Sequence, residues 1–61
     1  MANLTEKELS FLEDQLNAES LLVKKFRAVA EKTTDPALKG KCEQISAKHK
    51  EHFDRLMTYL N

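Results

Sequence analysis

Three side chains that commonly bind metals interrupt the apolar pattern of this 61-residue sequence. Glu19 follows Leu16 at helical spacing, where the pattern predicts an apolar residue. His49 and His52 follow Ile45 in the same way. A polar group in a predicted core costs free energy unless it is paired or has a function. Carboxylate and imidazole bind zinc, iron and manganese, so these three residues are the candidate metal ligands of the chain.

The carboxylate and one imidazole come together if the chain folds back once, near Thr34. In an antiparallel helical hairpin with this turn, residues lie opposite each other when their numbers sum to about 68. Glu19 and His49 meet this condition. The pattern therefore predicts a contact halfway along the hairpin. Two interpretations stay open: a metal site, or a buried hydrogen bond that fixes the register of the helices without a metal.

Local signals predict a first helix over residues 6–32. Thr5 and Glu8 have the spacing of a capping box, in which each residue hydrogen-bonds the backbone of the other. Leu4 and Leu9 have the spacing of a hydrophobic staple. Apolar residues then recur every three or four positions in two adjacent rows, so we expect this helix to contact two helical neighbours.

The sequence next predicts a turn at residues 33–35 and a second helix over residues 36–60. Asp35 is a strong helix N-cap, and Pro36 suits the first helical position. The residue before a proline also resists helical geometry, which places the break here. So short a connection makes the two helices antiparallel. The sequence therefore predicts an all-α fold, an antiparallel two-helix hairpin that forms a single domain.

The chain is too short to bury both apolar rows by itself. A core formed by so few residues rarely supplies more than about 3–5 kcal/mol without a disulfide, a metal or a partner. Closed two-fold pairing into a four-helix bundle solves this problem, so we predict a homodimer. The residues expected in the core or the dimer interface are Leu9, Leu12, Leu16, Leu22, Val23, Phe26, Ile45, Phe53, Leu56 and Leu60.

Composition narrows the classes of function. The formal net charge is zero, which gives no argument for a nucleic-acid partner. No apolar run approaches the about 18 residues of a membrane span. Cys42 is the only cysteine, so it favours a reducing, cytoplasmic location. No Gly-rich phosphate loop and no nucleophile beside a base is present, so we predict no enzymatic activity and no catalytic residue.

Five segments together form a pattern that is found in a known family, and they are LTEKEL at 4–9, EDQL at 13–16, ESLLVKKF at 19–26, TDPAL at 34–38 and HKEHF at 49–53. They resemble small spore-coat proteins of Gram-positive spore formers, which are related to the spore coat protein F group of the ferritin-like superfamily. The resemblance covers nearly the whole chain. It implies one half of a ferritin-like four-helix bundle that is completed by homodimerisation, a location in the spore coat and other coat proteins as partners.

The same resemblance bears on the metal ligands. In metal-binding ferritin-like proteins one helix provides a Glu and the next a Glu-x-x-His motif. Glu19 matches the first Glu and His49 the histidine, but Ser46 stands where the second Glu is needed. This difference argues against an intact di-iron site. We therefore predict a structural or interaction protein without a cofactor, and as the alternative a protein that binds zinc, iron or manganese at a degenerate Glu/His site.

Overall fold

The first helix begins at the predicted capping box. The computed structural model describes residues 3–60, and helix α1 covers Glu6–Lys32. The Thr5 hydroxyl accepts a hydrogen bond from the backbone N–H of Glu8, and the Glu8 carboxylate accepts one from the backbone N–H of Thr5, each at 3.0 Å. Two of the N–H groups that lack a partner at a helix start are thus satisfied, which sets the first residue of the helix.

The second helix, α2, covers Pro36–Met57 and is capped by Asp35. The Asp35 carboxylate accepts hydrogen bonds from the backbone N–H groups of Ala37 and Leu38. The sequence predicts α-helix to residue 60, but Thr58–Leu60 form one 3-10 turn. The Thr58 hydroxyl donates to the carbonyl of Arg55 at 2.6 Å. Such tighter turns are frequent at the C-terminal ends of α-helices.

The two helices pack against each other, which confirms the predicted all-α hairpin. Side chains that face the opposite helix form a narrow buried strip along the hairpin. Its apolar members are Leu12, Leu16, Val23, Ala30 and Cys42, and its polar members are Glu19 and Ser46. Cys42 is 3% exposed. It lies in this strip as a small buried side chain, which is the usual environment of a free cysteine.

Hydrogen bonds across the turn hold the two helices together at that end. The Lys39 ammonium group, on the second turn of α2, donates to the backbone carbonyl of Ala30 at 3.0 Å. A cation is favourable there, because the last carbonyls of α1 carry the negative end of its dipole. The Thr33 hydroxyl accepts from the backbone N–H of Asp35 at 3.1 Å. The register of the hairpin is thereby set near its turn.

The residues predicted for the core or the dimer interface fall into three groups. Leu12, Leu16 and Val23 are buried between the two helices. Leu9 is 38% exposed. The remaining members keep part of their surface open to solvent in the single chain, and they are Leu22, Phe26, Ile45, Phe53, Leu56 and Leu60.

Within residues 3–60, neither helix combines the length and apolar character needed to cross a membrane.

Candidate metal centre

The centre of the hairpin holds a carboxylate in contact with an imidazole. Glu19 lies halfway along α1 and is only 7% exposed, with Leu16 and Val23 before and after it on the same buried strip. His49 lies opposite on α2, and its Nδ1 atom is 2.6 Å from Glu19 Oε1. The register predicted from the turn position places the same two residues opposite each other. The contact is short, as hydrogen bonds to a charged group are.

His52 brings a second imidazole to the same carboxylate. It lies three residues after His49, nearly one turn along α2, so both rings project from neighbouring parts of the helix surface. The Nδ1 atom of His52 is 3.6 Å from Glu19 Oε2, which is too far for a hydrogen bond. One ligand atom from each of the three residues lies within 4.8 Å of the others. The structure therefore brings together all three candidate ligands.

An aromatic ring holds one of the two imidazoles in place. Phe26 lies seven residues, or two helical turns, after Glu19, and its ring stacks on that of His49 with centroids 6.0 Å apart and planes 19° apart. The rings of His49 and His52 are nearly perpendicular, with centroids 5.9 Å apart. Phe26 was predicted to lie in the core or the dimer interface, without a role at the cluster. The seven-residue spacing from Glu19 was the available sign of its position beside the cluster.

The surroundings of Glu19 favour its charged form. The hydrogen bond with His49 lowers the pKa of the Glu19 carboxyl below its ordinary value, while burial acts in the opposite direction and raises it. A hydrogen bond with the Gln15 amide and the electrostatic interaction with both histidines lower the pKa of Glu19 further. The net shift is downward, so the core contains an anion at neutral pH.

The cluster is complete without an ion. Over residues 3–60, each buried side-chain nitrogen or oxygen has a hydrogen-bond partner. Glu19 uses His49 for this purpose, so the carboxylate is not left unpaired in the core. The hairpin therefore needs no metal to satisfy its buried polar groups, and an ion would be an added ligand.

Ser46 contributes nothing to this cluster. Its hydroxyl donates to the backbone carbonyl of Glu43 at 3.1 Å, within the same helix. It is buried, 6% exposed, on the strip that faces α1. The position that the resemblance assigns to a second glutamate is therefore occupied by a small side chain that is satisfied locally. The cluster of Glu19, His49 and His52 therefore contains a single carboxylate.

The chain matches no protein-family model, and no curated protein and no solved structure is significantly similar to it. The resemblance to small spore-coat proteins therefore stays a prediction.

Proposed function

We propose that this protein is a structural or interaction protein that acts as a homodimer, in which two hairpins pair into a four-helix bundle. Its activity is binding. The observation that carries the proposal is an exposed apolar face along one side of the hairpin, to which both helices contribute. Large apolar side chains exposed along one side of a protein are typical of an interaction surface.

The contribution of α1 is a row that flanks its buried strip. Phe11, Ala18, Leu22 and Val29 are seven, four and seven residues apart, so they follow one edge of the helix. Phe11 is 70% exposed and Val29 is 43% exposed. This is the second of the two apolar rows that the sequence predicts, and α2 leaves its outer members open to solvent.

The contribution of α2 is a row with a seven-residue repeat. Leu38, Ile45, His52 and Tyr59 follow one another at this interval, which is the spacing of a coiled-coil seam. Leu38 and Tyr59 are 44% and 53% exposed. His52 is the polar member of the row. Polar residues within such seams set the register and the partner of a bundle.

The two rows lie on the same side of the molecule. At the open end of the hairpin, Phe11 and Tyr59 line one shallow groove together with Leu56. The groove on the opposite side of the hairpin mixes charged and apolar lining residues, among them Lys24, Arg27 and Phe53. The groove at Phe11 and Tyr59 is the more apolar of the two, so its side of the hairpin is the better candidate for burial against another protein.

The amount of exposed surface supports a second copy as the occupant of the apolar face. A compact monomeric protein of 7.0 kDa exposes about 4,000 Å², whereas this chain exposes 4871 Å². The excess of roughly 850 Å² is close to the about 800 Å² that each partner buries in a stable interface. The radius of gyration, 14.3 Å, likewise exceeds the about 10–11 Å of a compact chain of this length.

The test is the mass in solution of the full chain treated with a chelator. Light scattering after size-exclusion chromatography should give twice the 7.0 kDa of the chain. The chelator excludes a dimer that is held only by metal. A monomeric mass across the micromolar range would overturn the proposal, and so would a heterogeneous series of larger species.

The proposed cellular role is that of a component of the spore coat, together with other coat proteins. The five segments that resemble small spore-coat proteins support it, and an interaction protein without catalytic machinery suits a layered protein shell. A fluorescent fusion expressed in a spore-forming bacterium should form a ring at the spore surface and co-purify with the coat fraction. Diffuse fluorescence throughout sporulation would contradict the role.

A further inference from the structure

We propose that Glu19, His49 and His52 bind one divalent transition-metal ion of the zinc class. All three ligands come from one chain. The inference therefore goes beyond the proposed dimer and does not depend on it. It adds a ligand to a protein whose proposed activity is association through an apolar face.

The chemical nature of the three side chains selects the class of ion. Two imidazole nitrogens and one carboxylate oxygen suit zinc, iron(II) and their neighbours in the first transition row. Magnesium and calcium prefer sites built from oxygen ligands alone. Three protein ligands also leave one position of a tetrahedral zinc site open to water or to another group.

The distances suit such an ion. With metal–ligand bonds of about 2.0–2.2 Å, neighbouring ligand atoms of a tetrahedral site lie about 3.3 Å apart. The Glu19 carboxylate lies 2.6 Å from His49 through Oε1 and 3.6 Å from His52 through Oε2. One ligand atom from each of the three residues lies within 4.8 Å of the others, so side-chain rotations must bring all three to the tetrahedral spacing. The half-exposed side chain of His52 has room to make them.

His52 is the residue that distinguishes a metal site from a simple buried pair. The hydrogen bond with His49 already satisfies one oxygen of Glu19 and would by itself fix the register of the helices. His52 makes no hydrogen bond with Glu19, and its side chain is 48% exposed. Its nitrogen nevertheless lies near Oε2, the second oxygen of the same carboxylate. Within the single chain, metal binding gives this nitrogen a use that the hydrogen bond between Glu19 and His49 does not require.

Preorganisation supports the site as well. Glu19 is held by burial, and the His49 ring is fixed between Phe26 and the carboxylate. Two of the three ligands thus lose little freedom when the ion binds, which lowers the entropic cost of binding. The stacked Phe26 ring also covers one side of the cluster with apolar surface, where it limits the access of water.

The experiment measures zinc binding to the full, chelator-stripped chain by native mass spectrometry and by isothermal titration. One zinc ion per chain is expected, together with a rise in the melting temperature on adding zinc. His52→Ala should weaken zinc binding at least about tenfold while leaving the helix content unchanged, because the side chain is exposed. Cobalt(II) provides a second readout, since a tetrahedral site with nitrogen ligands gives strong visible absorption.

Glu51→Gln is the matched control. Glu51 is the exposed neighbour of His52 on α2 and lies near Arg55, outside the cluster. This variant should bind zinc like the wild type, whereas Glu19→Gln should not. Equal stabilisation by magnesium would overturn the proposal, because it would indicate general charge screening. One zinc ion per two chains, or unchanged zinc binding in His52→Ala, would overturn it too.

The outcome for the metal site can be distinguished from that for the dimer. The same native spectra report the number of chains before zinc is added and the number of zinc ions afterwards. A metal-free dimer that takes up no zinc would contradict only the proposed metal site. A monomer that binds one zinc ion would contradict only the proposed dimer.

Discussion

The packing at the centre of the hairpin depends on the Glu19 side chain. It carries a negative charge into a buried strip, and this is tolerated because His49 donates to it at 2.6 Å. Removing one partner of such a pair leaves the other without its hydrogen bond in a largely dry environment, which costs more than the bond itself contributes. The two histidines therefore differ in their importance for folding.

His49→Ala should lower the free energy of unfolding of the metal-free protein by about 1–3 kcal/mol, because it deprives a buried carboxylate of its partner. His52→Ala should change it by less than about 0.5 kcal/mol, since the half-exposed ring makes no hydrogen bond with Glu19. Urea denaturation in the presence of a chelator measures both values. Equal losses for the two variants would contradict the assignment of His49 as the buried partner.

The lowered pKa of Glu19 predicts a loss of stability in acid. The folded chain holds this pKa below the ordinary value of 4.5. The resulting stabilisation is thus fully present above that value and is lost as the pH falls through the folded pKa. Urea denaturation with a chelator should show a steeper fall below about pH 4.5 for the wild type than for Glu19→Gln. Parallel curves for the two proteins would be evidence against a charged Glu19.

At the scale of the elements, the ends of both helices are determined by side chains that are close in sequence. Thr5 with Glu8 begins α1, and Asp35 with Pro36 begins α2. These are local hydrogen bonds and steric restrictions, which form in the same way whatever the helices pack against. Substitutions at such positions therefore change the stability of a helix with little effect on the central cluster.

Thr5→Ala removes the side-chain half of the capping box and should lower the free energy of unfolding by about 1 kcal/mol. Thr34→Ala is the matched control, because Thr34 lies exposed in the turn, outside both helices. It should change the stability by less than about 0.5 kcal/mol. Thermal denaturation followed by circular dichroism compares the two variants, and a larger loss for Thr34→Ala would contradict the cap.

Gly40→Ala should stabilise the protein. Gly40 lies inside α2 without a positive φ, and an added Cβ would meet nothing within 4 Å. The substitution should raise the free energy of unfolding by about 0.5–1 kcal/mol, because glycine loses more backbone entropy than alanine when the helix forms. Ala37→Gly, at an exposed position of the same helix, should lower the free energy of unfolding. A lower melting temperature for Gly40→Ala would reveal a close neighbour at this position, such as a partner chain.

At the scale of the whole molecule, the hairpin is thin and long, with extents of 46 × 15 × 11 Å. Among residues 3–60, five apolar side chains are buried in a narrow strip, and no large side chain is fully buried. A single layer of this kind leaves the flanking rows exposed on the apolar face. Association is the physical means by which such a chain gains a two-sided core.

Phe11→Glu should dissociate the proposed dimer, because it places a charge at the most exposed large apolar side chain of that face. Leu21→Glu is the matched control: Leu21 is 52% exposed, but it lies about 200° around α1 from Glu19, away from α2. Sedimentation equilibrium should give a monomer for the first variant and a dimer for the second. Dissociation by Leu21→Glu alone would place the interface on the other side of the molecule.

The sequence by itself determined the class of fold and the position of the break. Capping residues, the Asp35–Pro36 pair and the apolar period of three to four act over a few residues, so they could be interpreted without knowledge of the partner helix. The short turn then determined the register, because two rigid helices joined by so few residues have little freedom to slide. The contact between Glu19 and His49 follows from that register.

Only the tertiary structure decided what surrounds that contact. The direction of the His52 ring, the stacking of Phe26 on His49 and the exposure of Phe11 and Tyr59 depend on rotamers and on how the helices rotate about their axes. Residue spacing specifies an angle around a helix only to within a broad sector, whereas hydrogen bonding and metal binding need distances to within a fraction of an ångström. Periodicity therefore predicted which residues meet, and side-chain packing decided how they meet.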